Sequence, residues 1–293
     1  MSVRNEFIKV WTFKKIVILI MFIFIANMIA YGLCENTSND NWQEEASKIK
    51  QEYVDILSQE ESNEVVANEI RIIEYCIENN IPYEEYGFFS YLDKVTLFNN
   101  FLLIIIVMFS VGTYTIEKMS GSIKNILCTG ISMRTVINYK YIYLLLQAIV
   151  IIISFYSISS IIGISFFADS FNYKSIVLSE GNIKEISLVA KVIVSILLLC
   201  IKSVFMITIT EIIYIIFNGS KWGEYLSIFL ILFSSLISQI IPWEQVDNLL
   251  PFKYLSYVYE GDYKSFAQTF CVLAVYMFVI KLLSNYRMKY IKI

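Results

Sequence analysis

Histidine is absent from all 293 residues. That removes histidine-based zinc sites, the Ser-His and Cys-His nucleophile systems and haem ligation through imidazole. Charge is scarce as well. Asp, Glu, Lys and Arg make up 17% of the chain, against about a quarter in a soluble domain. No G-x-x-x-x-G-K-[ST] loop and no G-x-G-x-x-G turn occurs, so the chain carries no recognisable cradle for a nucleotide phosphate. The five cysteines have no metal-ligand spacing. No catalytic residues, no metal site and no cofactor are expected on this chain, and nucleic acid is not an expected partner. An enzyme is a poor reading.

What the chain has is apolar length: 57% hydrophobic residues, 16% aromatic, and a mean hydropathy of +0.62. A bilayer core of about 30 Å takes about 20 apolar helical residues to cross. Six segments meet that requirement: Ile16–Leu33, Val95–Ile116, Tyr141–Phe167, Ile186–Phe217, Tyr225–Ile241 and Phe266–Leu283. The expected class is an all-α integral membrane protein with six transmembrane helices. The first run lacks a small-x-small cleavage site and reads as a retained span rather than a signal peptide.

Basic residues orient the spans. Thirteen of the 23 Lys and Arg fall on one face: Arg4, Lys9, Lys14, Lys15, Lys118, Lys124, Arg134, Lys140, Lys221, Lys281, Arg287, Lys289 and Lys292. The long connection 34–94 on the other face holds 15 acidic residues against four basic ones. This places both termini, the tail 284–293 included, in the cytoplasm of a multi-pass plasma-membrane protein. Residues 1–15, with Phe7, Val10, Trp11 and Phe13 among basic residues, suit a helix lying in the inner interface. Within 34–94, Ala46, Ile49, Tyr53 and Ile56, then Val66, Ile70, Ile73 and Ile77, recur at helical spacing around Ser62-Asn63, so an extracellular α-hairpin is expected. Cys34 and Cys76 fall on this oxidising side. A disulfide between them is one reading and separate burial the other. The segment 242–265, apolar but broken by Pro251, fits short helices that re-enter the outer leaflet.

The most informative stretch is Glu117–Lys140, EKMSGSIKNILCTGISMRTVINYK. Ile123, Ile126 and Leu127 form one apolar face, bracketed by Gly121 and Gly130. They describe a short helix parallel to the membrane between the second and third spans. Read alone, the stretch is either a lever or a basic loop that only sets topology. The run Glu117, Gly121, Ile126-Leu127, Ser132, Arg134 and Lys140 resembles the signature of ABC-2 type transporter permeases, with Thr129-Gly130 where many members carry proline. The whole plan of interfacial helix, six spans and apolar outer hairpin is similar to that family as well. The resemblance implies a membrane subunit that performs no chemistry. It would pair with a second permease copy, identical or related, within membrane lipid, and rest a coupling helix on a separate ATP-binding subunit that holds ATP and magnesium. It further implies that Glu117 and Gly121 shape the approach to the coupling helix, that Ile123, Ile126 and Leu127 fill a groove on the ATPase, and that Arg134 and Lys140 anchor the return at the inner headgroups.

Charges inside the spans are expensive. A mid-helix lysine costs about 2.5–3.5 kcal/mol on insertion scales, so Lys202 must face protein or water. Lys191, eleven residues earlier, shares its face of the helix, whereas Glu211, nine residues later, lies about half a turn away. Gln147 is a plausible polar neighbour. Lys202 reads either as a structural lysine or, with Gln147 and Glu211, as part of a substrate pathway that binds an anionic group. The expected function is ATP-driven export of an amphipathic or hydrophobic molecule: a peptide, a peptide antibiotic or a lipid-like compound. Two other classes are an ion-coupled secondary transporter, which calls for repeats and in-span carboxylates, and a non-transporting sensor or immunity protein with a ligand-binding outer hairpin.

Overall fold

The computed structural model describes residues 11–35, 42–59, 64–80, 87–119, 128, 130–167, 174–179, 182–217, 222–234, 248, 250–259 and 261–288. Most of the expected interfacial helix, the centre of the coupling segment (120–127 and 129), the end of the fifth apolar run (235–241), most of 242–250 and the tail beyond 288 lie outside these residues.

The protein is mostly helical (88%). The elements run α1 (Phe13–Glu35), α2 (Trp42–Gln59), α3 (Glu64–Glu78), α4 (Phe88–Thr96), α5 (Asn99–Met119), α6 (Met133–Phe167), β1 (Lys174–Ser179), β2 (Asn182–Ser187), α7 (Leu188–Ile216), α8 (Trp222–Leu232), α9 (Pro251–Ser256) and α10 (Tyr263–Arg287). Among the described residues, four helices are long and apolar enough to cross a bilayer: α1, α6, α7 and α10. A fifth crossing forms if α4 and residues 99–113 of α5, bent by 51° at Leu97-Phe98, count as one span. Ile- and Val-rich segments are mediocre helix formers in water. In an apolar surround the backbone must satisfy its own N–H and C=O groups, and the helix does so within one segment.

The hub is α7. It packs against α4, α5, α6, α8 and α10, and 61% of its most apolar stretch is buried, against 11% for α10. One core cluster joins Leu19 and Ile23 of α1, Tyr91 of α4, Ile106 of α5, Phe155 of α6, Phe205 and Met206 of α7 and Leu273 of α10. A smaller cluster of Ile137, Ile215 and Met288 ties the start of α6 to the ends of α7 and α10. The opposite end is aromatic. Tyr31 of α1 meets Phe166 and Phe167 at the end of α6, and Tyr91 stacks on Phe167.

The outer connection departs from the purely helical expectation. β1 and β2 pair antiparallel from Lys174 opposite Ser187 to Ser179 opposite Asn182. The hairpin packs on α3 and α7 and meets the chain just before α10 at Gly261. A Cβ on Gly261, whose φ is +95°, would fall 1.8 Å from Ile186 Cδ1. Asp262 then caps α10, accepting from Lys264 N at 2.9 Å, Ser265 N at 3.2 Å and Ser265 Oγ at 2.5 Å. The Ser265 hydroxyl first, and the Lys264 N–H second, hold its carboxyl below the usual range.

Helices α2 and α3 pack together and carry the acidic residues Glu52, Asp55, Glu69, Glu74 and Glu78. Cys34 and Cys76 stand as two buried thiols, not as a disulfide. Cys34 belongs to the core cluster at the end of α1, and Cys76 sits on α3.

Gly163 sets how closely α4 approaches α6. A Cβ there would lie 2.8 Å from Tyr91 Cδ1 and 3.0 Å from Phe88 Cδ2. Gly163→Ala should destabilise by about 1–3 kcal/mol through overpacking, and Gly163→Leu by more. Thermal unfolding in detergent checks this, with Gly32→Ala, where the added Cβ meets nothing within 4 Å, as the control.

Candidate functional site

Three charges sit along α7, and each meets a partner from a different element. Near the start, Lys191 pairs with Asp93 of α4 at 2.7 Å. At the helix midpoint, the Lys202 ammonium donates to the Tyr257 carbonyl at 2.7 Å. Near the end, the fully buried Glu211 accepts from Lys281 Nζ and Ser284 Oγ of α10, both at 2.6 Å. At 1.5 Å per residue these positions are about 16 Å and then about 14 Å apart along the axis.

The Glu211 cluster continues into α6. Lys281 Nζ lies 3.8 Å from the centre of the Tyr141 ring, a cation–π contact, and the Tyr141 and Thr208 hydroxyls are 3.0 Å apart. One carboxylate thereby locks α6, α7 and α10 at a single level. The helical-wheel reading kept Glu211 away from Lys202, and in the structure the two have separate partners. That reading had no access to Lys281, which lies 70 residues further along the chain.

Beside Lys202 is a cavity of about 90 Å³ lined by Thr96, Leu97, Asn99, Asn100, Ser195, Leu198, Leu199, Lys202 and Tyr257 to Tyr259. The shared face with Lys191 expected from spacing is the face that presents Ser195, Leu198, Leu199 and Lys202 to this cavity. The cavity falls at the break between α4 and α5 and at the irregular chain after α9, where backbone leaves helical geometry at Tyr257 (φ −56°, ψ 131°).

Two expected placements are corrected. Gln147 does not meet Lys202: it is buried on α6, outside the cavity lining, and neither amide atom has a hydrogen-bond partner among the described residues. Lys140 is not an exposed headgroup anchor. It is 1% exposed, because α6 begins at Met133 and its inward face runs through Val136, Ile137, Lys140, Tyr143 and Leu144. Arg134, on the first turn of α6, is exposed. Glu117 falls in the last turn of α5, and Gly121, Ile123, Ile126 and Leu127 lie outside the described residues.

No protein-family model, no curated protein and no solved structure matches the chain.

Removing one member of a buried ion pair strands the other charge and costs about 3–5 kcal/mol, whereas replacing both with neutral groups costs far less. Lys281 is 27% exposed on its side chain, so Lys281→Met belongs at the lower end, about 3 kcal/mol. Adding Glu211→Gln should restore most of that loss. Unfolding of the two single variants and the double variant measures the coupling; simple additivity would contradict the pairing.

Proposed function

We propose that the chain is the membrane-spanning subunit of an ATP-driven exporter of the ABC-2 type. In this reading it works as a pair of permease copies driven by separate ATP-binding subunits. What supports it is the resemblance carried by the run from Glu117 to Lys140, whose last residues, Met133 to Lys140, form the first turns of α6. At 35 residues, α6 is about 52 Å long, well beyond the apolar thickness of a bilayer. A push on the segment before Met133 is carried along one rigid rod to Ile137, which packs with Ile215 and Met288, and then to Tyr141 on the Lys281–Glu211 pair.

The proposed topology has six crossings: α1, the bent α4–α5 pair, α6, α7, a fifth comprising α8 and residues up to 241, and α10. The end that gathers Lys15, Arg134, Lys140 and Arg287 faces the cytoplasm of a plasma-membrane protein, and the acidic α2–α3 pair faces outside. ATP and magnesium bind the partner subunit. Nucleotide closure there tilts α6 and, through the Tyr141–Lys281–Glu211 contact, draws α7 and α10 with it. The outer end contains the α4–α5 break and the short α9 and can deform as the inner rods move. The cargo is an amphipathic or hydrophobic molecule that reaches the pair from the membrane.

An ATPase should follow the chain through purification from its native membrane at roughly one copy per permease. Ile126→Asp with Leu127→Asp should remove the bound ATPase activity while the amount of permease in the membrane stays unchanged. Purification of wild-type chain with no ATP-hydrolysing partner would sink the exporter reading.

A further inference from the structure

We propose that the cavity beside Lys202 is a binding subsite for the acidic head of an amphiphile; as a cargo site it rests on the exporter reading, but as a binding site it stands alone. The Lys202 residue is 6% exposed, and its ammonium meets only a neutral group, the Tyr257 carbonyl, at 2.7 Å. Among the described residues no carboxylate lies within ion-pair distance of it; Asp93 pairs with Lys191, about three turns earlier on α7. A buried cation held by one carbonyl retains two N–H donors and an unneutralised charge, and an anion is the ligand that relieves both.

The wall of the same space is formed in part by Tyr259, which is fully buried and whose ring packs against Tyr263 and Phe266. Ser195 and Asn99 add polar atoms to the wall, although the Asn99 oxygen is engaged by the Tyr156 hydroxyl at 2.6 Å.

Size and access decide what kind of anion fits. About 90 Å³ is the room of roughly three water molecules, which suits a carboxylate or a single phosphate group and excludes a peptide or an acyl chain. The rim is formed by Leu97, 61% exposed, and Val258, 55% exposed, with the exposed Asn100 between polar and apolar sides. Apolar rim residues at this level open sideways onto lipid or a second copy. A ligand that puts an acidic head on Lys202 and leaves a tail against Leu97 and Val258 satisfies both surfaces. A free inorganic anion satisfies only one.

The test uses the full chain in phosphatidylcholine nanodiscs and laurate carrying a terminal trifluoromethyl group, with its bound ¹⁹F resonance titrated. Saturable binding is expected, weakened at least about tenfold by Lys202→Met, since a charge-assisted hydrogen bond is lost. Ser195→Ala keeps the assay informative if Lys202→Met disturbs folding. Removing one hydroxyl from the cavity wall should leave the unfolding temperature nearly unchanged while weakening laurate severalfold, a split that a purely structural serine would not produce. Methyl laurate should not bind. Phosphatidylglycerol in the disc that displaces laurate identifies a lipid head as the occupant; no displacement identifies a carboxylate amphiphile of cargo type. Equal laurate binding by wild type and Lys202→Met, no binding at all, or equally effective competition by inorganic phosphate overturns the proposal. Laurate binding without a co-purifying ATPase sinks the exporter reading alone; an ATPase without Lys202-dependent laurate binding sinks the subsite alone.

Discussion

Everything in this molecule is arranged around the difficulty of carrying charge on a buried helix. Among helices in lipid, apolar contact alone discriminates poorly between arrangements, because lipid tails are as apolar as leucine. Polar contacts therefore specify which helices meet and at what height. Lys191 binds α7 to α4, Lys202 binds it to the chain after α9, and Glu211 binds it to α10. Sliding α7 by a turn would move all three groups by about 5.4 Å and strand each of them together. A helix that is almost wholly aliphatic otherwise, such as the stretch from Val192 to Leu199, would tolerate that shift with little change in packing.

The three pins are not equivalent, and the difference divides the molecule into a stiff end and a pliant end. At Glu211 the partners are long unbroken helices, α6 and α10, joined through the Lys281–Tyr141 contact. At Lys191 and Lys202 the partners are α4, which breaks from α5 at Leu97-Phe98, and the irregular chain at Tyr257. Rotation imposed at the stiff end is transmitted intact, because a helix compresses little along its axis. At the other end it is taken up at the break and the loop. The only cavity among those described that combines a charge with polar walls lies at this pliant level, so its shape is the property most sensitive to movement of α6 and α10.

Periodicity in the sequence was sufficient for the helices and for the α2–α3 pair, whose expected break at Ser62-Asn63 falls between the end of α2 at Gln59 and the start of α3 at Glu64. The apolar run Tyr141–Phe167 ends with α6, but the helix starts earlier, at Met133, and carries Arg134, Asn138 and Lys140 ahead of the apolar stretch. The β-hairpin leaves little trace in the sequence because each strand is only six residues long, and β2 runs into the apolar segment that starts at Ile186. The bend at Leu97-Phe98 has no proline or glycine to announce it. Glu211 was assessed only against charges on its own helix, so its true partner on α10 was invisible. Lys202 was recognised as anomalous from depth alone, but a backbone carbonyl leaves no trace in side-chain chemistry.

That carbonyl explains why lysine, rather than a neutral residue, serves at position 202. After Ser256 the chain leaves helical geometry, and Tyr257 offers a C=O that no following turn of α9 can use. Irregular backbone at such a level is tolerated only where protein or water satisfies it. An ammonium on a four-carbon stem reaches the group and, unlike serine or asparagine, has donors left over. The same side chain that closes the backbone problem therefore leaves a cation with spare hydrogen-bonding capacity facing a cavity. Val258 and Tyr259 do not extend α9, and the chain from Tyr257 to Tyr259 forms one wall of that cavity. One departure from helical geometry thus exposes the Tyr257 carbonyl and shapes the cavity beside it, and Lys202 answers the first while creating the demand that an acidic head would meet.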